Sequence, residues 1–311
     1  MNDEHVTAGE ASPATGEAEP GARSERGAES TLAVLGAGTM GHGIAQVAAM
    51  SGFETRLFDV DESALAAAVE RIEANLDNGI ARAKVAPVQK RAALAALSTT
   101  TDRDEAIRGA GIVIEAVPER LELKRDLLAH AAGTAAAGAL LATNTSSLSI
   151  ARIAEGVDGP ERVIGMHFFN PVHIMALVEI VRGPKTSDAT VERARALAER
   201  LDKTPIVVTD SPGFASSRLG IALGLEAIRM VEEGVASPAD IDTAMTLGYR
   251  HPMGPLRLTD LVGLDVRLDI ARHLHHELGS ARFEPPALLE RMVEEGRLGK
   301  KSGEGFYVWD E

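Results

Sequence analysis

The segment Gly36-Ala37-Gly38-Thr39-Met40-Gly41 lies between an apolar run, residues 31–35, and a stretch of helical periodicity, residues 40–50. A strand that passes into a helix through three glycines makes a tight turn and exposes backbone amides at the helix N-terminus, where a pyrophosphate can sit. The motif alone is weak, but Asp59 ends the next apolar run about twenty residues on, placed to accept hydrogen bonds from an adenosine ribose. A 2′-phosphate would be repelled there, and Val60, Asp61 and Glu62 supply no compensating cation. The expected cofactor is therefore NAD, contacted by Gly36, Gly38, Thr39, Met40, Gly41 and Asp59.

The alternation continues. Residues 55–58, 112–117, 140–142 and 163–165 read as strands, separated by helices over 63–83, 88–97, 121–136 and 149–154. Strand-like runs at 177–181 and 206–208 flank a helix at 188–201 and extend the sheet. Continuous apolar strands alternating with helices predict a parallel sheet covered on both faces. After Asp210-Ser211-Pro212-Gly213 the runs become long and helical, at 214–233, 238–247, 261–278 and 286–295, and residues 305–309 read as a short aromatic strand or extended segment. A chain of 311 residues accommodates two cores, since one seldom grows past about 250 residues. The expected fold is α/β: a doubly wound Rossmann-type sheet domain over 31–209, then an all-α domain over 210–311.

Residues 1–30 carry one large aliphatic besides Met1, Val6, and read as a disordered tail. Their acids, among them Asp3, Glu4, Glu10 and Glu17, do not suit a mitochondrial presequence, and no apolar stretch suits a secretory signal, so cytoplasmic residence is expected. No apolar run approaches the roughly 18–20 residues of a membrane span. The net charge of −14 opposes binding to nucleic acid. With no cysteine, disulfides and thiolate chemistry are excluded, and no metal site is expected.

Catalytic groups belong at the carboxyl ends of the strands, beside the cofactor. Asn144-Thr145-Ser146-Ser147 follows one predicted strand and His167 ends the next. An alcohol gives up hydride readily only as its proton is removed, and imidazoles titrate near neutrality, so His167 is the candidate base. Glu179 interrupts Leu177-Val178-Glu179-Ile180-Val181, and a carboxylate rarely enters a buried strand unpaired; it would orient and balance the imidazole, while Ser146 would hydrogen-bond the substrate oxygen. His273, His275 and His276 read as surface or interface groups, and His42 as packing near phosphate.

These residues resemble the L-3-hydroxyacyl-CoA dehydrogenase family, including bacterial 3-hydroxybutyryl-CoA dehydrogenases, from about Thr31 to Trp309. The resemblance is carried by Gly36-x-Gly38-x-Met40-Gly41-x-Gly43, Glu115-Ala116-Val117-Pro118-Glu119, Asn144-Thr145-Ser146-Ser147-Leu148, His167-Phe168-Phe169-Asn170-Pro171, Asp210-Ser211-Pro212-Gly213-Phe214, His251-Pro252-Met253-Gly254-Pro255 and Gly299-Lys300-Lys301-Ser302-Gly303-Glu304-Gly305-Phe306-Tyr307. It implies NAD-dependent oxidation of a (3S)-3-hydroxyacyl-CoA, short-chain such as 3-hydroxybutyryl-CoA, with His167 as base, Glu179 its partner, and Ser146 and Asn144 against substrate or nicotinamide. It further implies Glu119 and Lys124 as cofactor contacts, an arm over 63–97 that grips CoA, and a C-terminal domain for dimerisation and substrate. Arg82 falls where a cation would meet CoA, or on a solvated helix face. Ser217 stands where the family usually has Asn, which opens the acyl specificity. Two alternatives remain: a dehydrogenase of a sugar acid such as L-gulonate, and a catalytically silent NAD-binding protein.

Overall fold

The computed structural model describes residues 30–309, so the expected tail, apart from Ser30, lies outside the described residues. Eight strands form one sheet in the order β3-β2-β1-β4-β5-β6-β7-β8. They are β1 (Thr31–Leu35), β2 (Glu54–Phe58), β3 (Leu97–Thr100), β4 (Ile112–Glu115), β5 (Leu140–Thr143), β6 (Val163–Phe168), β7 (Leu177–Arg182) and β8 (Thr204–Thr209). Between them run α1 (Gly41–Met50), α2 (Glu62–Ala81), α3 (Pro87–Ala96), α4 (Arg103–Ile107), α5 (Leu121–Thr134), α6 (Ile150–Ile153) and α7 (Asp188–Arg200). β1 and β4, neighbours in the sheet, are far apart in sequence, and the strand order reverses between them; ligands bind at such a switch point, outside the carboxyl ends. Two apolar clusters cover the two faces, one around Val34, Ile44, Leu57 and Ile114, the other around Leu35, Leu128, Leu141 and Val163.

Three expectations are corrected. β3 and α4 were not anticipated: β3 reads Leu-Ser-Thr-Thr, an edge strand with no apolar run, and α4 is too short to show a period. The sheet is not wholly parallel, because β7 pairs antiparallel with β6, placing His167 opposite Glu179. Residues 169–176 join the two strands without a crossover helix, and only an antiparallel pair closes over so short a link.

From α8 (Ser216–Glu232) the chain is helical, through α9 (Pro238–Thr243), α10 (Pro255–Val262), α11 (Leu264–Leu278) and α12 (Ala287–Glu294). The single helix expected over 261–278 is two, because Gly263 at φ 103° takes a conformation that favours glycine. A third core, including Ile221, Leu225, Leu256, Leu268 and Phe283, lies within this half. Buried Asp260 holds the C-terminal segment against it, accepting from Phe306 N–H, Tyr307 N–H and Trp309 Nε1–H, each at 2.9 Å. Much of the Gly299–Tyr307 motif therefore has a packing role: a Cβ on Gly305 would lie 2.2 Å from Asp260 Oδ1.

Candidate active site

The glycine loop is set by close approach. Gly36 takes φ 107°, and a Cβ there would come within 2.8 Å of Ala116 O; one on Gly41 would lie 1.7 Å from Gly36 O. Gly38 differs, since nothing lies within 4 Å of the place its Cβ would occupy. No protein neighbour requires glycine at 38; the bare backbone faces open space, as a diphosphate cradle must. Gly36, Gly38, Thr39 and Met40 line a cavity of about 970 Å³ together with Phe58, Asp59 and Val60 on one side and Ala116, Val117 and Pro118 on another. The residues present fit a dinucleotide. Gly41 serves the turn rather than the cavity wall.

Asp59 closes the loop from below. Its Oδ2 accepts from Ala37 N–H at 2.8 Å, and its Oδ1 accepts from Asp61 N–H at 3.2 Å. Exchanging Asp59→Ser together with Val60→Arg should raise the ratio of catalytic efficiency with NADPH to that with NADH at least about tenfold, as one repulsion is removed and one attraction added. An unchanged ratio would reject the assignment of Asp59 to the ribose.

His167 and Glu179 meet across β6 and β7, with Nδ1 2.8 Å from Glu179 Oε2. Both side chains are buried, and Phe169 and Phe214 flank the imidazole at ring distances of 4.5 and 5.8 Å. Burial pushes the Glu179 carboxyl up, but the hydrogen bonds from His167, from Ser216 N–H and from Ser216 Oγ outweigh it and hold the group below its ordinary value. An ionised carboxylate only accepts, so Nδ1 donates, and in the neutral imidazole Nε2 then carries the lone pair, with no hydrogen bond to it among the described residues. Glu179 Oε1 also accepts from Ala215 N–H at 3.1 Å and Ser216 N–H at 2.8 Å, and Oε2 from Ser216 Oγ at 2.9 Å. Ser216 was missed by sequence reasoning; its neighbour Ser217, half-buried on the same turn, makes no such contact.

Ser146 lies on a loop gathered by Glu119. It makes no hydrogen bond to His167 among the described residues; Glu119 Oε1 gathers Thr145 Oγ1 (2.5 Å), Ser146 N–H (3.0 Å), Ser147 N–H (3.1 Å) and Ser147 Oγ (3.0 Å). Burial raises the Glu119 carboxyl, and Lys124 with these donors more than reverses the effect. Lys124 sits against the same carboxylate. It is 1% exposed, and its ammonium donates to Glu115 Oε1 (2.8 Å) and Val117 O (3.1 Å) and lies 3.2 Å from Glu119 Oε2. Glu115 was also missed, although a carboxylate inside Ile112-Val113-Ile114-Glu115 carries the same signal as Glu179. Asn144 Oδ1 accepts from Phe168 N–H at 2.9 Å, which fixes the end of β6 beside His167 and leaves the Nδ2 donor over. Arg82 is exposed at the end of α2, with no side-chain partner among the described residues. Those residues contain no cluster of three or more metal-ligating side chains and no helix long and apolar enough to cross a membrane.

The comparisons bear on the whole described chain. Residues 31–211 match the family described as 3-hydroxyacyl-CoA dehydrogenase, NAD binding domain, and residues 213–309 match the 3-hydroxyacyl-CoA dehydrogenase, C-terminal domain. A probable 3-hydroxybutyryl-CoA dehydrogenase of Bacillus subtilis is 44% identical over 280 residues, 90% of this chain and 97% of that relative. A 3-hydroxyadipyl-CoA dehydrogenase of Escherichia coli is 42% identical over 280 residues, of which this chain covers 59%. The crystal structure of the (S)-3-hydroxybutyryl-CoA dehydrogenase from Ralstonia eutropha superposes with a TM-score of 0.87 at 40% identity, covering 91% of this chain and all of that one. The cofactor is NAD. A dinucleotide cleft at the β1–β4 switch point, an imidazole–carboxylate pair at the strand ends and a matching helical half leave one placement: the chain belongs to the 3-hydroxyacyl-CoA dehydrogenase family.

Proposed function

We propose that this protein oxidises (3S)-3-hydroxyacyl-CoA, short-chain such as 3-hydroxybutyryl-CoA, to 3-oxoacyl-CoA, and catalyses the reverse. The observation that carries this reading is the His167–Glu179 pair, with Nδ1 committed to the carboxylate and Nε2 left to take a proton. His167 removes the hydroxyl proton of the substrate, and Glu179 balances the imidazolium that results. When bound, NAD would supply the acceptor for the hydride that leaves the carbon bearing that hydroxyl. Asn144 Nδ2 and Ser146 Oγ serve as donors to the substrate oxygens, and Glu119 fixes the loop that carries Ser146. The exposed Arg82 serves as a cation for the CoA phosphates.

The test is reduction of acetoacetyl-CoA, longer 3-oxoacyl-CoAs and 3-oxoadipyl-CoA with NADH, alongside oxidation of L-gulonate with NAD. Turnover of a CoA thioester supports the reading; turnover of gulonate alone, or of nothing, overturns it. Ser217→Asn should alter KM or acyl-chain preference by about three- to tenfold, the worth of one hydrogen bond, and an unchanged profile across chain lengths would remove Ser217 from the substrate site.

We assign two units divided near residue 210, because the cores flanking the sheet and the core of the helical half form separate clusters. The helical unit exposes Leu219, Leu258, Leu261, Val262 and Val266 on helices that pack together, an apolar surface that suits a second copy. Light scattering at micromolar concentration should give twice the chain mass of 32.7 kDa; a monomer mass refutes the dimer.

A further inference from the structure

Among the residues that line the 970 Å³ cleft, Arg103 is the one cation. The three carboxylates beside it are already committed. Asp59 accepts from Ala37 and Asp61 N–H, Asp102 accepts from Asp104 and Glu105 N–H, and Asp104 pairs with His130 Nε2 at 2.5 Å. Arg103 is not. Its Nε is sealed from solvent without a hydrogen-bond partner, and the nearest carboxylate oxygen, Asp104 Oδ1, stands 3.8 Å away, beyond hydrogen-bond range. The fold thus packs the base of this guanidinium and leaves its side chain 42% exposed at the cavity.

The position says what meets it. Asp59 marks the adenosine ribose, so the part of the cleft that continues to Val60, Thr101 and Arg103, away from the switch point, receives the base. Val60 offers apolar surface there at 83% exposure, and Phe58, Leu123 and Leu127 add apolar wall. A flat aromatic ring between apolar surface and a planar, weakly hydrated cation is a favourable arrangement, whereas a compact ammonium would serve less well. We propose that Arg103 stacks on the adenine ring of NAD and is the residue that positions this end of the cofactor.

The proposal rests on NAD being the cofactor, and the experiment separates the two. NADH and ADP-ribose are titrated calorimetrically into the wild type, Arg103→Met and Arg103→Lys, with circular dichroism confirming the fold. The KM for reduced nicotinamide mononucleotide, which lacks adenosine, is measured in parallel. Met keeps the aliphatic stem and Lys keeps the charge, so both probe the planar group without emptying the space. The expected result is that Arg103→Met weakens NADH and ADP-ribose alike by about five- to tenfold, Arg103→Lys by less, and neither moves the mononucleotide KM by more than about twofold. Equal weakening of all three ligands overturns the stacking role. Undiminished binding of NADH by both variants does so as well. A wild type that fails to bind NADH would instead strike at the cofactor.

Discussion

His167→Gln should lower turnover of acetoacetyl-CoA with NADH by about 10²- to 10⁴-fold while NADH affinity, measured by calorimetry, stays within about twofold. The glutamine amide can still donate to Glu179, so the frame that holds the side chain survives and only the proton-transfer atom is lost. None of the residues lining the dinucleotide cleft is His167, which is why binding should be spared. Turnover within tenfold of wild type would remove His167 as base, and lost NADH binding would mean that the substitution had disturbed the fold.

The carboxylate sets the pH limit of that frame. The folded protein holds Glu179 below its ordinary value, so it binds fewer protons there than the unfolded chain does. Its contribution to stability is complete above the unfolded carboxylate value and is lost as pH falls through the lowered one. At neutral pH the pair is therefore intact.

Lys124→Met should cost about 3–5 kcal/mol in denaturant unfolding, a large part of the roughly 5–15 kcal/mol that holds a domain folded. Removing the ammonium leaves Glu115 fully buried, still accepting from Thr143 Oγ1 and Val117 N–H at 2.7 Å each but without a counter-charge. Burial already pushes the Glu115 carboxyl up against the opposing pull of Lys124, Thr143 and Val117, and loss of the cation pushes it further. The folded variant then keeps a proton that the unfolded chain has released. Its stability should consequently fall as pH rises from about 5 to about 8, and the double variant Glu115→Gln, Lys124→Met should recover more than half of the loss. A deficit under about 1 kcal/mol, or one indifferent to pH, would show that the buried pair is not what stabilises this corner.

Sequence carried the parts of the fold that have a period or a long apolar run, and lost those that have neither. β1, β4 and β5 are buried along their whole length and announce themselves, whereas β3 at the sheet edge is built of Ser and Thr. Missing β3 and α4 also hid Arg103, because that residue matters only through the loop that aims it. In the site, His167 and Glu179 were legible since an acid inside an apolar strand demands a partner, and Glu115 would have been found by the same rule. Spacing could not say which of Ser216 and Ser217 turns toward β7, as neighbours on a helix point about 100° apart and the phase is fixed only by packing. Nor could it tell that Lys124 faces inward, because long helical cations ordinarily reach solvent.

Glu179 draws its donors from both halves of the molecule, His167 from β6 and Ala215 and Ser216 from the head of α8. The carboxylate thus acts as an interlock. The nucleotide cleft is walled by residues 36–127, all outside the helical half, and if that half lifted away Glu179 would keep His167 but lose its donors from Ala215 and Ser216. On the proposed role of His167, a molecule sprung open at this seam would still have its dinucleotide cleft but a less firmly held base, so the helical half would tune the chemistry without touching the cofactor.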